Sequence, residues 1–353
     1  MPRSLHPAAW WVWALALGAA ALRTKNPLVL FLIGAVAWLV VASRRGDAPW
    51  ARSFGSFVRI GIWVVGIRLA LQVLFAVRLP GHVLFSLPSV ALPSWLAGVT
   101  LGGPVTTEAL LTALYEGVQL AVLLACVGAA NSLASPYRLL RCLPTVLYEA
   151  GVVVTVALSF APQASTTVHR VQEARRLRGR PHTGVQGLRG LAVPVLEGAL
   201  DRSLFLAASM DARGYGRRAS IPEGRRRLTT VALGLGVLAT LAGAYGLLDD
   251  TSPAGLGLPA LACGAVLLAG ALALGGARSS RSRYRPDPWA LPEWITVASG
   301  LAAYAGVALS ARLDAVSLNP GTSPIVAPSL PVFATIGVLL AAVPAFATPR
   351  PAP

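Results

Sequence analysis

Residues 27–45 read PLVLFLIGAVAWLVVASRR, a continuous apolar run that ends in two arginines. Its apolar residues do not alternate with polar ones, as they would in a strand with one solvated face, so the run predicts a helix. The core of a bilayer offers no water to backbone groups, and a spanning element there must be a helix or part of a closed barrel. The stretch therefore predicts a membrane-spanning helix whose arginine end faces the cytoplasm.

The whole chain has the composition of a membrane protein. It contains 353 residues, of which 55% are hydrophobic and 12% charged, and its mean hydropathy is +0.65. This composition excludes a water-soluble globule. The net charge is +16, and Lys25 is the only lysine among 30 basic residues. Arginine suits pairing with carboxylates or phosphates, although a GC-rich genome would produce the same bias.

Eight apolar stretches come close to the length of about 20 residues that a membrane crossing needs. They cover residues 8–22, 26–42, 57–77, 110–133, 228–248, 254–275, 294–313 and 325–344. We therefore predict an all-α, polytopic membrane protein with about eight transmembrane helices and a cytoplasmic helical domain. The first two stretches are short for a span, which predicts a tilted pair or a tight hairpin.

The distribution of arginine predicts the orientation of the spans, because cytoplasmic loops retain basic residues. Arg44, Arg45 and Arg52 lie between the second and third spans, so that connection is predicted inside. The connection 79–109 carries no formal charge except Glu108, as expected of an outside loop. With eight spans, both termini are predicted to lie in the cytoplasm. We expect the protein in the inner membrane of a bacterium.

The apolar segment 146–161 conflicts with this orientation if it crosses the membrane. A crossing would put the strongly basic residues 170–227 outside. We predict that the segment lies along the inner face and that Pro162 bends the chain into the next helix. The predicted organisation is then 1–134 membrane helices, 135–228 a cytoplasmic domain with 15 of the 29 arginines, 229–248 a closing membrane helix and 249–353 additional membrane helices.

Two helices of the cytoplasmic domain are predicted to end in the same way. The first covers 163–178 and stops at Gly179, and the second starts near Pro194 and stops at Gly214. Each has an arginine in its last turn, which complements the helix dipole, and a glycine suited to a left-handed cap. Capping alone accounts for either end. Two copies in one domain also favour a docking role, because exposed arginines can bind carboxylates of a partner in a forked geometry.

The second helix end lies within LDRSLFLAASMDARGYG, residues 200–216, which resembles the second coupling motif of the transmembrane T component of energy-coupling factor (ECF) transporters, the EcfT and CbiQ family. VQEARRLRG, residues 171–179, resembles the first motif. Weaker similarities are LHP at 5–7, TKNP at 24–27 and SPYRLL at 135–140. The resemblance covers roughly residues 5 to 248, and only the second motif is highly specific.

This resemblance implies a non-catalytic subunit that couples two cytosolic ABC-type ATPase subunits to a small substrate-binding membrane subunit, for the uptake of vitamins or of metal ions such as cobalt. The ATPase-binding residues that it implies are Arg178, Gly179, Ala212, Arg213 and Gly214, with Arg175, Arg176 and Met210 as further candidates. Leu177 stands where the family usually has alanine, which is why the neighbouring arginines are included. Three apolar spans follow the one after which many family members end.

No catalytic, cofactor or metal site is predicted in this chain. It contains no GxxxxGK[ST] loop, and its only lysine follows no glycine, so ATP and Mg²⁺ would be used by the partner ATPases. The cysteines and histidines lack the spacing of metal ligands. Membrane lipids are expected partners and nucleic acid is not. The alternatives are a polytopic enzyme or flippase for anionic lipid-linked substrates, and a secondary transporter, although no inverted repeat is detectable.

Arg68 and Glu116 are charged residues that fall inside predicted spans. Arg68 lies in the middle of the third span and Glu116 near the start of the fourth. Ionisable groups within a membrane are costly, and they either serve a function or pair with one another. We predict that these two pair or line a packed interface.

Overall fold

The computed structural model describes residues 5–46, 49–75, 81–91, 100–142, 148–179, 184–214, 223–248, 256–276 and 289–349. The helices are α1 (Pro7–Leu22), α2 (Pro27–Arg44), α3 (Ser53–Phe75), α4 (Thr107–Leu133), α5 (Pro136–Arg141), α6 (Tyr148–Leu177), α7 (Gly184–Ala212), α8 (Glu223–Leu248), α9 (Leu258–Gly276), α10 (Leu291–Leu313), α11 (Ala315–Leu318), α12 (Val332–Leu340) and α13 (Pro344–Ala347), with a 3₁₀ turn at Pro49–Arg52. An antiparallel hairpin is formed by β1 (Val83–Ala91) and β2 (Thr100–Thr106). The predicted all-α polytopic class is confirmed.

Six helical segments of the described residues are long and apolar enough to cross a membrane. They are Pro27–Arg44, Trp50–Phe75, Thr107–Leu133, Gly151–Leu177, Arg227–Gly246 and Leu291–Leu313. Shorter apolar helices occur at Pro7–Leu22, Leu258–Ala273 and Val332–Ala347. Helices therefore lie on all eight stretches predicted as spans, and the ninth apolar helix of the described residues, Gly151–Leu177, includes most of segment 146–161.

The last predicted span, 325–344, is wrong in its first half. Pro328 and Pro331 lie within it, and each lacks the backbone donor that a helix interior requires. The helix begins only after Pro331 and ends at Leu340, and a turn separates it from α13. This span is consequently a short helix followed by a further single turn.

The predicted breaks at Pro162 and Pro194 are also wrong. α6 continues through Pro162, and α7 begins at Gly184 with Pro194 in its interior. A proline removes one hydrogen bond from a helix and bends it, but a helix of about 30 residues retains its remaining bonds. Residues 148–161 and the first coupling motif up to Leu177 therefore belong to one helix.

The structure divides into two compact units. One contains Met1–Leu139 and Pro286–Pro353, and the other contains Leu140–Arg285. In the first unit the helices approach closely at small residues, as is common in membrane proteins. A Cβ added at Gly300 of α10 would lie 2.8 Å from the Cα of Trp13, and one at Gly306 would lie 3.0 Å from the Cα of Gly337. The C-terminal helices thus pack directly on α1 and on each other.

Hydrogen bonds connect the first two helices of this unit to the C-terminal segment. The indole Nε1 of Trp13 donates to the carbonyl oxygen of Ala341 at 3.1 Å. Thr24, in the turn between α1 and α2, donates its hydroxyl to the carbonyl of Leu318 at 2.7 Å. At the other end of α2, the guanidinium of Arg44 donates to the carbonyl of Ala345 at 2.6 Å. Residues 289–349 are therefore an integral part of the core of this unit.

The second unit contains α6 to α9. Helices α8 and α9 pack so closely that a Cβ at Gly236 would lie 2.9 Å from Cγ of Leu268, and one at Gly243 would overlap the backbone of Leu261. The later residue of α8, Gly243, contacts the earlier residue of α9, Leu261, so the two helices are antiparallel. Residues 249–255 of their connection, which include Asp249 and Asp250, lie outside the described residues.

The connection 79–109 was predicted as a loop and instead contains the hairpin. The backbone N–H of His82 donates to both carboxylate oxygens of Glu108, at 3.1 and 3.0 Å, and that of Thr107 donates to the carbonyl of His82 at 3.0 Å. A side chain at Gly81 would overlap the same carboxylate. Glu108, in the first turn of α4, therefore fixes the base of the hairpin.

Candidate functional site

The two predicted Arg–Gly helix ends have the same backbone geometry. At the end of α6, the N–H of Arg178 donates to the carbonyl of Arg175 at 3.2 Å and that of Gly179 donates to Arg176 at 3.0 Å. At the end of α7, the corresponding bonds join Arg213 to Met210 at 3.1 Å and Gly214 to Asp211 at 2.8 Å. Each helix thus tightens in its last turn and presents an arginine immediately before a terminal glycine.

Both terminal glycines adopt the left-handed backbone conformation, with φ of +68° at Gly179 and +75° at Gly214. Only glycine takes up this conformation without strain, so the predicted left-handed caps are confirmed. A Cβ at Gly179 would meet no atom within 4 Å. The requirement for glycine at that position is therefore conformational, since no described atom would crowd a side chain there.

The side chains at both ends face outward. Leu177 is 90% exposed, and Arg176 and Arg178 are exposed beside it. At the second end, Ala212 and Arg213 are exposed, while Met210 and Gly214 are half-buried. Exposed guanidinium groups at a helix end can approach carboxylates with both of their donor edges.

Arg175 differs from its neighbours in a way that the sequence did not indicate. Its side chain is half-buried, and its guanidinium lies against Gly190 of α7, where a Cβ would overlap the guanidinium nitrogens. The side chain thus occupies the contact between α6 and α7, whereas Arg178 stands at the exposed end. Gly190 was one glycine among 35, and its sequence context did not reveal its proximity to Arg175.

The contacts between α6 and α7 show that the two helices run in opposite directions. Nη1 of Arg202 in α7 donates to Oε1 of Gln163 in α6 at 3.1 Å, while Arg175, further along α6, lies against Gly190, earlier in α7. At about 1.5 Å per residue, the 23 residues from Gly190 to Arg213 extend roughly 35 Å along α7. The two arginine ends therefore lie at opposite ends of the helix pair.

An apolar stripe follows α7 toward its C-terminal end. It consists of Val193, Leu196, Leu200 and Leu204, which recur every three or four residues and are each 61–68% exposed. Residues at this spacing share one face of a helix. Helical spacing in the sequence predicts one apolar face for this helix, made of Leu196, Ala199, Leu200, Leu204, Ala207 and Met210, and this face overlaps the stripe. A solvent-facing apolar stripe of this kind suits docking against a partner or lipid.

Arg68 and Glu116, which the sequence places within spans, are paired, as expected. The carboxylate of Glu116 in α4 accepts from Arg68 of α3 and, at 3.1 Å, from Nζ of Lys25 in the turn between α1 and α2. All three side chains are partly exposed. One acid therefore joins three elements of the first unit. Elsewhere in the described ranges, no group of three His, Cys, Asp or Glu side chains is arranged to hold a metal ion.

No protein-family model matches the chain. The energy-coupling factor transporter transmembrane protein EcfT of Limosilactobacillus fermentum (strain CECT 5716 / Lc40) is 27% identical to it over 199 residues, which make up 54% of this chain and 71% of the relative. The relative is a transmembrane protein of a transporter, and the comparison does not favour the enzyme or flippase alternative. The resemblance to the T component of energy-coupling factor transporters, which the second coupling motif indicated, is therefore confirmed.

Proposed function

We propose that this chain is the coupling subunit of an ECF-type importer. In this proposal two cytosolic ATPase subunits bind the ends of α6 and α7, and their ATP-driven movement is transmitted through these helices to a small substrate-binding membrane subunit. The chain carries out no chemistry itself, and the transported compound, a vitamin or a metal ion, is recognised by the separate subunit. The ends of α6 and α7 face the cytoplasm, as do both termini.

The observation that carries the proposal is the duplicated helix end. Both ends have the same pair of closing hydrogen bonds, a left-handed glycine and an exposed arginine. A cap that only ends a helix does not require an exposed arginine before the glycine, and this arginine occurs at the ends of both helices. The separation of roughly 35 Å along α7 exceeds what a single small site can bridge. This geometry suits two separate partner surfaces better than one.

Arg178 and Arg213 are the proposed anchors, with Gly179, Ala212 and Gly214 completing the two ends. Arg176 is exposed next to the first anchor and is a secondary contact. We assign Arg175 a positioning role, because it lies between α6 and α7 at Gly190. The role of all these residues in binding ATPases remains a prediction.

Charge reversal at each anchor tests the proposal. We expect Arg178→Glu and Arg213→Glu each to weaken one ATPase contact by on the order of 2 to 5 kcal/mol, because a carboxylate then faces the acids that the arginine bound. Each loss corresponds to roughly a thirtyfold or greater fall in affinity. Since the ends are far apart, the two losses should be nearly additive. The double variant should no longer copurify with co-expressed ATPases, and it should still insert into the membrane.

Arg170→Glu provides the matched control. Arg170 is exposed on α6, away from its end, and the substitution changes the net charge by the same amount. It should leave copurification unchanged. If the double variant keeps both ATPases, the assignment of the two ends is wrong. If Arg170→Glu releases them equally, the effect is one of overall charge and the specific anchors are refuted.

A further inference from the structure

The hairpin between α3 and α4 has an apolar surface that the proposed function does not use. Every residue from Gly81 to Pro88 is exposed, and the large side chains among them are Val83, Leu84, Phe85 and Leu87. The sequence from 79 to 107 contains no acidic, lysine or arginine residue. An exposed strand of this kind in water would be an aggregation site, so a nonaqueous surface is expected to cover it.

The direction of the apolar face is given by the strand pairing. Phe85 lies opposite Val105 and Leu87 opposite Gly103, whereas Ser86 lies opposite Pro104. Cross-strand partners share one face of a hairpin, and successive residues alternate between the two faces. Val105 is 1% exposed in a strand that contacts α3 and α4, but its neighbour Phe85 on the same face is 45% exposed.

One face of the hairpin is therefore covered by the spanning helices at β2 and left open at β1. Phe85 and Leu87 lie on the same face as the buried Val105, but their own side chains are exposed. Next to these pairs the opposite face carries Ser86 and Pro104, which are exposed, while Val83 and Leu84 lie at the irregular pairing before Phe85. The hairpin connects two helices that are long and apolar enough to cross a membrane, and α3 ends before it with two further exposed apolar side chains, Leu74 and Phe75.

We propose that β1 rests on the membrane, with Phe85 and Leu87 in contact with lipid at the boundary between headgroups and acyl chains. The outer edge of β1 is unpaired in the described hairpin, and unpaired backbone groups are not tolerated in the hydrocarbon core. They can be hydrated among headgroups, so the strand lies at the interface. Its base is held by Glu108, which fixes the strand relative to α4.

Fluorescence quenching of neighbouring residues on opposite faces tests this placement. Phe85→Cys and Ser86→Cys are made in a full-length chain whose three native cysteines are replaced by alanine, and each is labelled with the polarity-sensitive dye NBD. The protein is reconstituted in vesicles of phosphatidylcholine and phosphatidylglycerol. Nitroxide lipids report contact with the membrane, and iodide reports contact with water. Asp314→Cys, in the exposed segment after α10, serves as the aqueous control.

We expect the dye at position 85 to be quenched about threefold more by nitroxide near the headgroups than the dye at position 86, since interfacial side chains insert only about 5 to 10 Å. Iodide should quench in the reverse order. Equal quenching by iodide at 85, 86 and 314 would place the hairpin in water and overturn the proposal. Protection of position 85 from both quenchers would show that protein covers it, with the same consequence.

A second variant keeps the test independent of the loss of Phe85. Leu87→Cys labels the same face and retains the phenylalanine, so it should give the same quenching order relative to Ser86→Cys. If position 87 is accessible to iodide and not to nitroxide lipids in a folded chain, the proposed contact with lipid is refuted.

Discussion

Replacing Asn26 is predicted to loosen the attachment of the C-terminal segment to the first two helices. Asn26 is fully buried in the turn before α2. Its Nδ2 donates to the carbonyls of Ser317 and Ser329, at 2.7 and 2.6 Å, and its Oδ1 accepts from the N–H of Leu28 at 2.9 Å. One side chain therefore caps a helix and joins it to two segments about 300 residues away in the sequence.

The cost of Asn26→Ala is the sum of these contributions. Loss of an N-cap typically costs about 1 kcal/mol. Each of the two hydrogen bonds to a carbonyl contributes about 0.5 to 1.5 kcal/mol, and more when the carbonyl is left buried without a donor. The free energy of unfolding should therefore fall by roughly 2 to 4 kcal/mol. SDS titration of the purified chain in mixed micelles measures this change.

Asn26→Asp separates the two roles of the side chain. Aspartate caps a helix as well as asparagine does, but its carboxylate cannot donate to two carbonyls. We expect it to destabilise the chain at least as much as alanine. If Asn26→Asp is as stable as the natural chain and Asn26→Ala loses only about 1 kcal/mol, capping accounts for the whole effect. The proposed attachment through the amide would then be wrong.

Two further predictions use matched pairs. Gly243→Ala should destabilise the α8–α9 packing, because the added Cβ overlaps the backbone of Leu261. In Gly234→Ala the added Cβ meets no atom within 4 Å, so this variant should be neutral or gain up to about 1 kcal/mol of helix stability. The free energy of unfolding of both variants checks this. Glu116→Gln should lower the free energy of unfolding by about 1 kcal/mol or more, since two cations lose their shared carboxylate. Glu223→Gln, which breaks an exposed pair at 4.0 Å, should change it by less than about 0.5 kcal/mol. Equal effects within either pair would contradict the reasoning.

The spanning helices were predictable because their signal is local. A continuous apolar run of membrane length leaves the backbone few alternatives to a helix. The two Arg–Gly ends were predictable for the same reason, since a left-handed glycine cap depends on residues next to it in the sequence. The prolines are different. The sequence predicts helix boundaries at Pro162 and Pro194, whereas each lies inside a helix that continues past it.

Features that depend on distant partners could not be predicted. The turn 24–27 reads as a simple connection between two short spans, and nothing in it indicates that Asn26 bonds to Ser317, 291 residues later. The contact of Arg175 with Gly190 is similar, because a glycine offers no side-chain pattern to recognise. The hairpin was missed because prolines and glycines in 79–109 indicated turns, while the pairing of Phe85 with Val105 depends on a register that only the fold sets.

The buried contacts of the C-terminal segment also bear on how movement could pass through the protein. Trp13, Thr24 and Asn26 all donate to carbonyls of residues 317–341, so α1 and α2 share one core with α10 to α12. These hydrogen bonds hold the C-terminal segment both to α1 and to the turn between α1 and α2. A unit attached in this way resists deformation, since close-packed cores transmit strain instead of absorbing it. In the described part of the α6–α7 pair, the apolar stripe of α7 is exposed, and the two helices meet at the Arg202–Gln163 hydrogen bond and where Arg175 lies against Gly190. Under the proposed function, the C-terminal helices therefore stiffen a core whose buried residues all lie outside α6 and α7, the helices that bind the ATPases.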